Sequence, residues 1–70
     1  MKRVSDIREL KKGDTIIVKD CPSFMSLGFK SISGDIFTIE PGKPSFTIRC
    51  KETENFEQVS LEDGIIFLIG

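Results

Sequence analysis

The chain has 70 residues, of which 39% are hydrophobic and 30% charged, and its formal net charge is −1. This length allows one domain, residues 1–70, and the composition is that of a globular chain rather than a disordered or fibrous one. The sequence contains no histidine, the commonest general base and metal ligand, and its small net charge excludes a strong general attraction to nucleic acid or acidic membranes.

The first twelve residues and the two cysteines bear on the cellular compartment. Seven of those twelve residues are charged, so we expect no signal peptide and a cytoplasmic location in which Cys21 and Cys50 are free thiols. Two cysteines without histidine do not form a standard zinc site in one chain, and we predict no metal or other cofactor. The longest apolar run, residues 65–69, is too short to span a bilayer, so we expect no membrane partner.

Residues 1–12 show weak helical character. Ile7 and Leu10 are three residues apart and Ser5 is a suitable cap, but the segment is too short to form a stable helix alone. We therefore predict a short N-terminal helical turn in residues 1–12, followed by a β-barrel in residues 13–70.

A hairpin at residues 34–50 is the clearest element of the sequence. Apolar and polar residues alternate strictly over 45–51, which predicts a strand with one buried face. Two prolines and a glycine in 41–44 predict the turn before it. In the preceding strand, 35–40, Ile36 and Ile39 are three apart. Either a β-bulge shifts the phase, or Phe37 and Ile39 face the core.

Three more strands are predicted, over residues 14–19, 56–61 and 64–69. In the first, Ile16 and Val18 should face the core and Ile17 should face outward or towards a covering loop. Gly34, inside a strand pattern, predicts a bulge or a bend. The loop at 20–30 has two interpretations: its apolar side chains plug one end of a barrel, or Phe24 and Met25 form an exposed contact patch.

Two motifs, LKKGDTIIV at 10–18 and SGDIFTI at 33–39, resemble the KOW type of SH3-like domain. Together with the strand pattern, this resemblance gives the predicted fold class: mostly β, a small five-stranded antiparallel SH3-like barrel with a short N-terminal helical turn. The resemblance implies a binding module for RNA, for ribosomal or transcription-machinery partners, or for peptides, and it transfers no role to any one residue.

Charge is divided unevenly along the chain. Residues 1–51 hold ten basic and six acidic residues, net +4, whereas residues 52–70 hold five acidic residues and no basic one, net −5. The candidate protein-contact residues are those of the apolar loop and the acidic tract: Phe24, Met25, Phe29, Glu52, Glu54 and Glu57. The candidate nucleic-acid contacts are cations that could line one side of the barrel: Lys11, Lys12, Lys19, Lys30, Lys43, Arg49 and Lys51. Phe24 or Phe29 would then stack on bases.

No pattern of catalytic residues is present, so the sequence favours a binding module that is not an enzyme. We expect the partner to be another protein, with the chain acting as an accessory factor or regulator, such as a phage-type inhibitor of a larger machine. The alternative is a nucleic-acid-binding module. In either case we expect a monomer or a weak homodimer.

Overall fold

The computed structural model describes residues 1–69, which form one antiparallel sheet with strand order β1-β6-β2-β3-β4-β5. The strands are β1 (Lys2–Val4), β2 (Thr15–Lys19), β3 (Ser31–Ile39), β4 (Ser45–Cys50), β5 (Phe56–Ser60) and β6 (Ile65–Ile69). A 3₁₀ turn (Ile7–Glu9) follows β1, and a four-residue helix, α1 (Pro22–Met25), lies between β2 and β3. No helix in these 69 residues has the length and apolar character needed to cross a bilayer.

The fold is mostly β, as predicted, but the described residues form six strands rather than five, in a sheet that is not closed. The additional strand is β1, where Lys2 pairs with Leu68 and Val4 with Ile66 on β6. Only Val4 in this short strand is buried, so the sequence shows no alternation of apolar and polar residues that would predict a strand here. Because β1 takes one side of β6 and β2 the other, the apolar strand β6 is internal to the sheet.

The predicted N-terminal helical turn is present, but its cap is Asp6 rather than Ser5. The Asp6 carboxylate accepts a hydrogen bond from the backbone N–H of Arg8, and the Glu9 carboxylate accepts from the backbone N–H of Asp6. This reciprocal arrangement is a capping box, which satisfies backbone donors that a short turn leaves unpaired.

The core lies on one side of the sheet and follows the predicted alternation. On β2 the buried residues are Ile16 and Val18, and on β4 every second residue, from Phe46 to Cys50, is fully enclosed. Phe24 of α1 is 6% exposed and joins this core, so at this residue the loop plugs the fold rather than forming a contact patch.

A β-bulge at Phe37 settles the two interpretations of β3. Ile36 pairs with Ile48 and Thr38 pairs with Thr47, so Phe37 has no partner on β4. The extra residue shifts the phase of the strand, which allows both Ile36 and Ile39 to pack with the core and turns Phe37 outward.

Gly34 lies in regular pairing, opposite Ile16 on one side and Cys50 on the other, so the bulge that the sequence offered at this glycine is absent. A methyl group at this position would overlap the backbone carbonyl of Arg49. The glycine therefore allows close approach of β3 and β4.

Candidate functional site

One row of side chains crosses five strands on the side of the sheet opposite the core. Ile69, Thr15, Asp35, Arg49 and Phe56 are directly opposite one another in successive strands. Directly opposite residues in antiparallel strands project to the same face. The row therefore places an apolar residue at each end and polar or charged groups between them.

A second row runs beside it, two residues further along each strand. Arg3, Phe67, Ile17 and Ser33 are directly opposite one another across β1, β6, β2 and β3. Ile17 thus faces outward, as predicted. We call the side of the sheet that carries these two rows the outward face.

Two phenylalanine rings form a pair at one end of the outward face. Phe37 is 47% exposed and Phe56 is 53% exposed, and their ring centroids are 4.7 Å apart with a 50° angle between the planes. Phe37 is the unpaired residue of the bulge and follows the inward-facing Ile36, so its ring lies on the outward face. Exposed aromatic rings held in a fixed geometry are typical of ligand-binding surfaces.

Each of three rings on the outward face has a cationic group beside it. The distances from the charged group to the ring centroid are 5.7 Å for Lys12 over Phe37, 5.8 Å for Arg49 over Phe56, and 5.5 Å for Lys19 over Phe67. Energetically significant contacts between a cation and a ring occur about once per 70–80 residues in structures. Three ring–cation pairs on one face are therefore more than a chain of this length would usually have. The face combines stacking surfaces with positive charge.

Asp35 and Glu52 are carboxylates on or beside this face, and neutral donors hold both. Asp35 accepts a hydrogen bond of 2.7 Å from the hydroxyl of Thr15. Glu52 accepts from the backbone N–H of Ser33 at 2.7 Å and from its hydroxyl at 3.1 Å, and the Cys50 thiol lies 3.7 Å away. Neither carboxylate forms an ion pair among residues 1–69. The cations beside the rings therefore form no salt bridge with Asp35 or Glu52, although Arg49 lies directly opposite Asp35.

The pKa of Glu52 reflects this environment. Partial burial raises it, but the hydrogen bonds from the Ser33 backbone and side chain outweigh burial and leave the pKa below its ordinary value. Glu52 is therefore charged at neutral pH and fixes the turn after β4 against β3. It has a structural role at the margin of the face.

The predicted nucleic-acid contacts divide between the outward face and the turns. Lys12, Lys19 and Arg49 lie beside rings, and the backbone N–H of Lys51 donates to the Ser33 carbonyl at the edge of the face. The other predicted cations are exposed in connecting segments: Lys11, Lys30 and Lys43. Lys43 pairs with Glu40 at 3.4 Å and lines a groove near the N-terminal turn.

The predicted protein contacts are not brought together. Phe24 is buried and Phe29 packs against the core, whereas Met25 is 48% exposed. Glu52 is held by Ser33, Glu54 lies in the turn after β4, and Glu57 pairs with Ile48 on β5. The two phenylalanines are thus unavailable for the stacking role that the sequence also suggested for them.

Phe37 and Phe56, which are exposed, and Phe67, which is half-buried, are the site residues that sequence reasoning missed. A signal was present for Phe56, since it is three residues before the core residue Val59 and therefore on the opposite face of a strand. Phe37 carried no such signal, because its orientation depends on the bulge.

Other surface features of the described residues give weaker indications of a binding site. An open groove of about 530 Å³ lies between the N-terminal turn and the turns that follow β3 and β5, lined by Ile7, Pro44 and Leu61 among others. Within residues 1–69 no group of three or more metal-ligating side chains is present.

Comparisons with protein-family models, curated proteins and solved structures found no match to this chain.

Proposed function

We propose that this protein is a non-catalytic binding module that holds single-stranded nucleic acid on its outward face. The observation that carries the proposal is the pairing of each of three outward rings with a cation. Single-strand binding needs these two components, aromatic rings on which bases stack and positive charge that follows the phosphates. The alternative drawn from the sequence is thereby favoured over the protein-binding function.

The positions of the rings suit an extended strand better than a duplex. Phe56 on β5 and Phe67 on β6 are separated by four strand spacings, which corresponds to a path of about 19 Å measured along the sheet. Base faces are accessible to side-chain stacking only in unpaired strands, because the bases of a duplex stack on one another. A single strand that crosses the sheet would reach the Phe37–Phe56 pair at one end and Phe67 at the other.

The small negative net charge of the chain sets the expected strength of binding. Three cations beside rings correspond to few phosphate contacts, so stacking rather than charge should supply most of the affinity. We therefore expect micromolar rather than nanomolar binding, with little sequence preference.

The SH3-like barrel remains a further proposal for the fold. Strands β2 to β5 form a consecutive antiparallel meander, and β6 returns to pair with β2, which supports a rolled sheet. The cytoplasmic location stays a proposal as well, and the free thiols of Cys21 and Cys50 are consistent with a reducing compartment.

The first test measures binding of labelled single-stranded DNA and RNA by fluorescence anisotropy. Phe56→Ala removes a ring that is 53% exposed, so we expect the fold to persist and the affinity to fall by about 5- to 100-fold. Binding by the unaltered protein should weaken with salt, with a slope of about −2 in a double-logarithmic plot, for three phosphate contacts.

Leu27→Ala is the matched control, because it removes an apolar side chain that is 66% exposed and lies in the loop after α1. This variant should bind as the unaltered protein does. Equal affinity of Phe56→Ala and Leu27→Ala, or tighter binding of duplex than of single strands, would rule out the stacking platform.

Protein binding is the second candidate function, and one observation favours it. Met25 and Leu27 are exposed by 48% and 66%, and lie close together at the end of α1. Flexible apolar side chains of this kind suit a protein contact. If the protein binds no oligonucleotide but retains one stoichiometric protein from a lysate, and Met25→Ala abolishes that retention, this second function replaces the first.

A further inference from the structure

The outer edge of β5 is a surface that the nucleic-acid proposal leaves unused. In the sheet order β5 is the last strand, and it pairs with β4 over five consecutive residues without a shift of register. Apart from that ladder, residues 56–59 make no hydrogen bond within the described chain. Half of their backbone groups therefore point away from the sheet, and such groups can pair with an additional strand.

Natural proteins protect open edges with proline, lysine, bulges or a charged side chain that points inward. In β5, Phe56–Ser60, only the last device is present, since Glu57 is the one charged residue of the strand. Glu57 lies opposite Ile48 and on the same side as the buried residue Val59, so it is a half-buried charge on the core side of an edge.

Glu57 determines which strand could be added. A residue directly opposite it on a new strand would have its Cβ atom within about 5 Å. An apolar residue there would desolvate the carboxylate and an acidic residue would repel it, whereas lysine or arginine would pair with it. The charge of Glu57 therefore opposes most added strands and favours a basic one.

The surroundings of β5 add to this preference. Residues 52–69 contain five carboxylates and no lysine or arginine. The opposite edge of the sheet differs in both length and sign, since β1 has three residues and two of them are Lys2 and Arg3. Attraction between opposite charges raises the rate at which a basic segment meets β5, and repulsion between like charges lowers that rate at β1.

We propose that the free edge of β5 accepts an extended basic peptide segment as an additional strand, with a lysine or arginine of that segment opposite Glu57. The ligand class is thus a lysine- or arginine-containing extended segment of a partner protein. This site is independent of the nucleic-acid proposal, because it uses backbone groups of β5 and a carboxylate on the core side of the sheet.

The probe is a short capped peptide of alternating valine and lysine, and two measurements follow its binding. Fluorescence anisotropy gives the affinity, and amide hydrogen exchange of the full chain locates the site. We expect new protection at residues 56–59. Glu57→Gln should weaken binding by about two- to fivefold, the usual worth of a cross-strand ion pair.

Three controls separate strand addition from general attraction between opposite charges. Glu62→Gln removes the same charge from an exposed residue beyond β5 and should change the affinity less than Glu57→Gln does. A peptide with glutamate in place of lysine should not bind. A lysine peptide methylated at alternate backbone nitrogens keeps its charge but loses ladder donors, and it should not bind either.

Other outcomes would overturn the proposal. Equal binding of the methylated peptide would show attraction without strand pairing, and protection confined to β1 would place the ligand on the other edge. Protection at residues 56–59 that appears without peptide and grows with protein concentration would show that a second copy of this chain takes the edge. None of these outcomes affects the oligonucleotide experiment, so the two proposals fail separately.

Discussion

Phe24 and Leu27 lie three residues apart in the same loop, but their side chains are in opposite environments. The Phe24 ring is 6% exposed and packs in the core, whereas Leu27 is 66% exposed. Replacing a buried phenylalanine with alanine costs about 3–5 kcal/mol. A domain of this size has a net stability of about 3–5 kcal/mol. We therefore expect Phe24→Ala to be largely unfolded at 25 °C.

Circular dichroism during chemical denaturation measures this difference. Leu27→Ala is the control from the same loop, and it should change the free energy of unfolding by less than about 0.5 kcal/mol. A Phe24→Ala variant that unfolds cooperatively at the midpoint of the unaltered protein would mean that the ring contributes nothing to the core.

Single residues show where prediction from the sequence is reliable and where it is not. Phe46 lies in a strictly alternating strand, and its burial could be predicted from that pattern alone. Phe37 and Phe56 are exposed although phenylalanine is one of the residues most often buried. The orientation of Phe37 depends on where a bulge occurs in β3, which is a property of pairing with β4 and is invisible locally.

At the level of elements, the N-terminal turn is held by charge. The hydrogen bond from the Arg8 side chain lowers the pKa of Asp6 to about 2. The backbone N–H of Ser5, with further help from the Lys2 ammonium and the Asp6 N–H, lowers the pKa of Glu9. The Lys2–Glu9 ion pair of 3.0 Å also joins β1 to the turn. Two depressed carboxylate pKa values make the stability of this element depend on pH.

The direction of that dependence follows from linkage. A carboxylate whose folded pKa is below its unfolded value stabilises the fold above the unfolded value, near pH 4, and loses that contribution as pH falls through the folded pKa. Glu9→Gln should therefore lower the melting temperature at pH 7. The difference from the unaltered protein should shrink as the pH falls below about 4.

Thermal unfolding over a pH series, followed by circular dichroism, tests this expectation. Glu54→Gln removes the same charge from an exposed turn and serves as the control for net charge. A Glu9→Gln effect that is the same at pH 7 and at pH 2 would show that charge is not what holds the turn.

Secondary-structure elements, like single residues, differ in whether the sequence alone predicts them. The β3–β4 hairpin could be predicted because alternation, two prolines and a glycine all point to it. The strand β1 could not, because Lys2, Arg3 and Val4 form a strand only by pairing with β6, more than sixty residues away. The sixth strand is the consequence of that long-range pairing.

At the level of the whole molecule, charge is separated only in part. Arg3, Lys19 and Arg49 are on the outward face, and Glu57 is on the core side of β5. The basic residues of 1–51 and the acidic residues of 52–70 do not form two separate sides, because Glu52 accepts a hydrogen bond from Ser33 on β3. The site itself could not be predicted, because its rings come from β3, β5 and β6 and lie on one face only when the sheet has formed.

If the outward face binds single strands as proposed, the ligand should stabilise this small domain strongly. A ligand that binds only the folded state adds about 2.7 kcal/mol at a concentration 100 times its dissociation constant. For a domain of 60–100 residues, 1 kcal/mol shifts the melting temperature by about 4–8 °C. Saturating single-stranded oligonucleotide should therefore raise the melting temperature by at least about 10 °C, as measured by differential scanning fluorimetry.

The same scan distinguishes binding to the outward face from general attraction to a polyanion. The shift should be reduced in Phe37→Ala, which removes one ring of the pair, and unchanged in Leu27→Ala, which lies outside the face. High salt should reduce the shift without removing it, because stacking between rings and bases survives screening. A shift that heparin reproduces in full, or that persists undiminished in Phe37→Ala, would assign the effect to charge alone and remove the rings from the binding site.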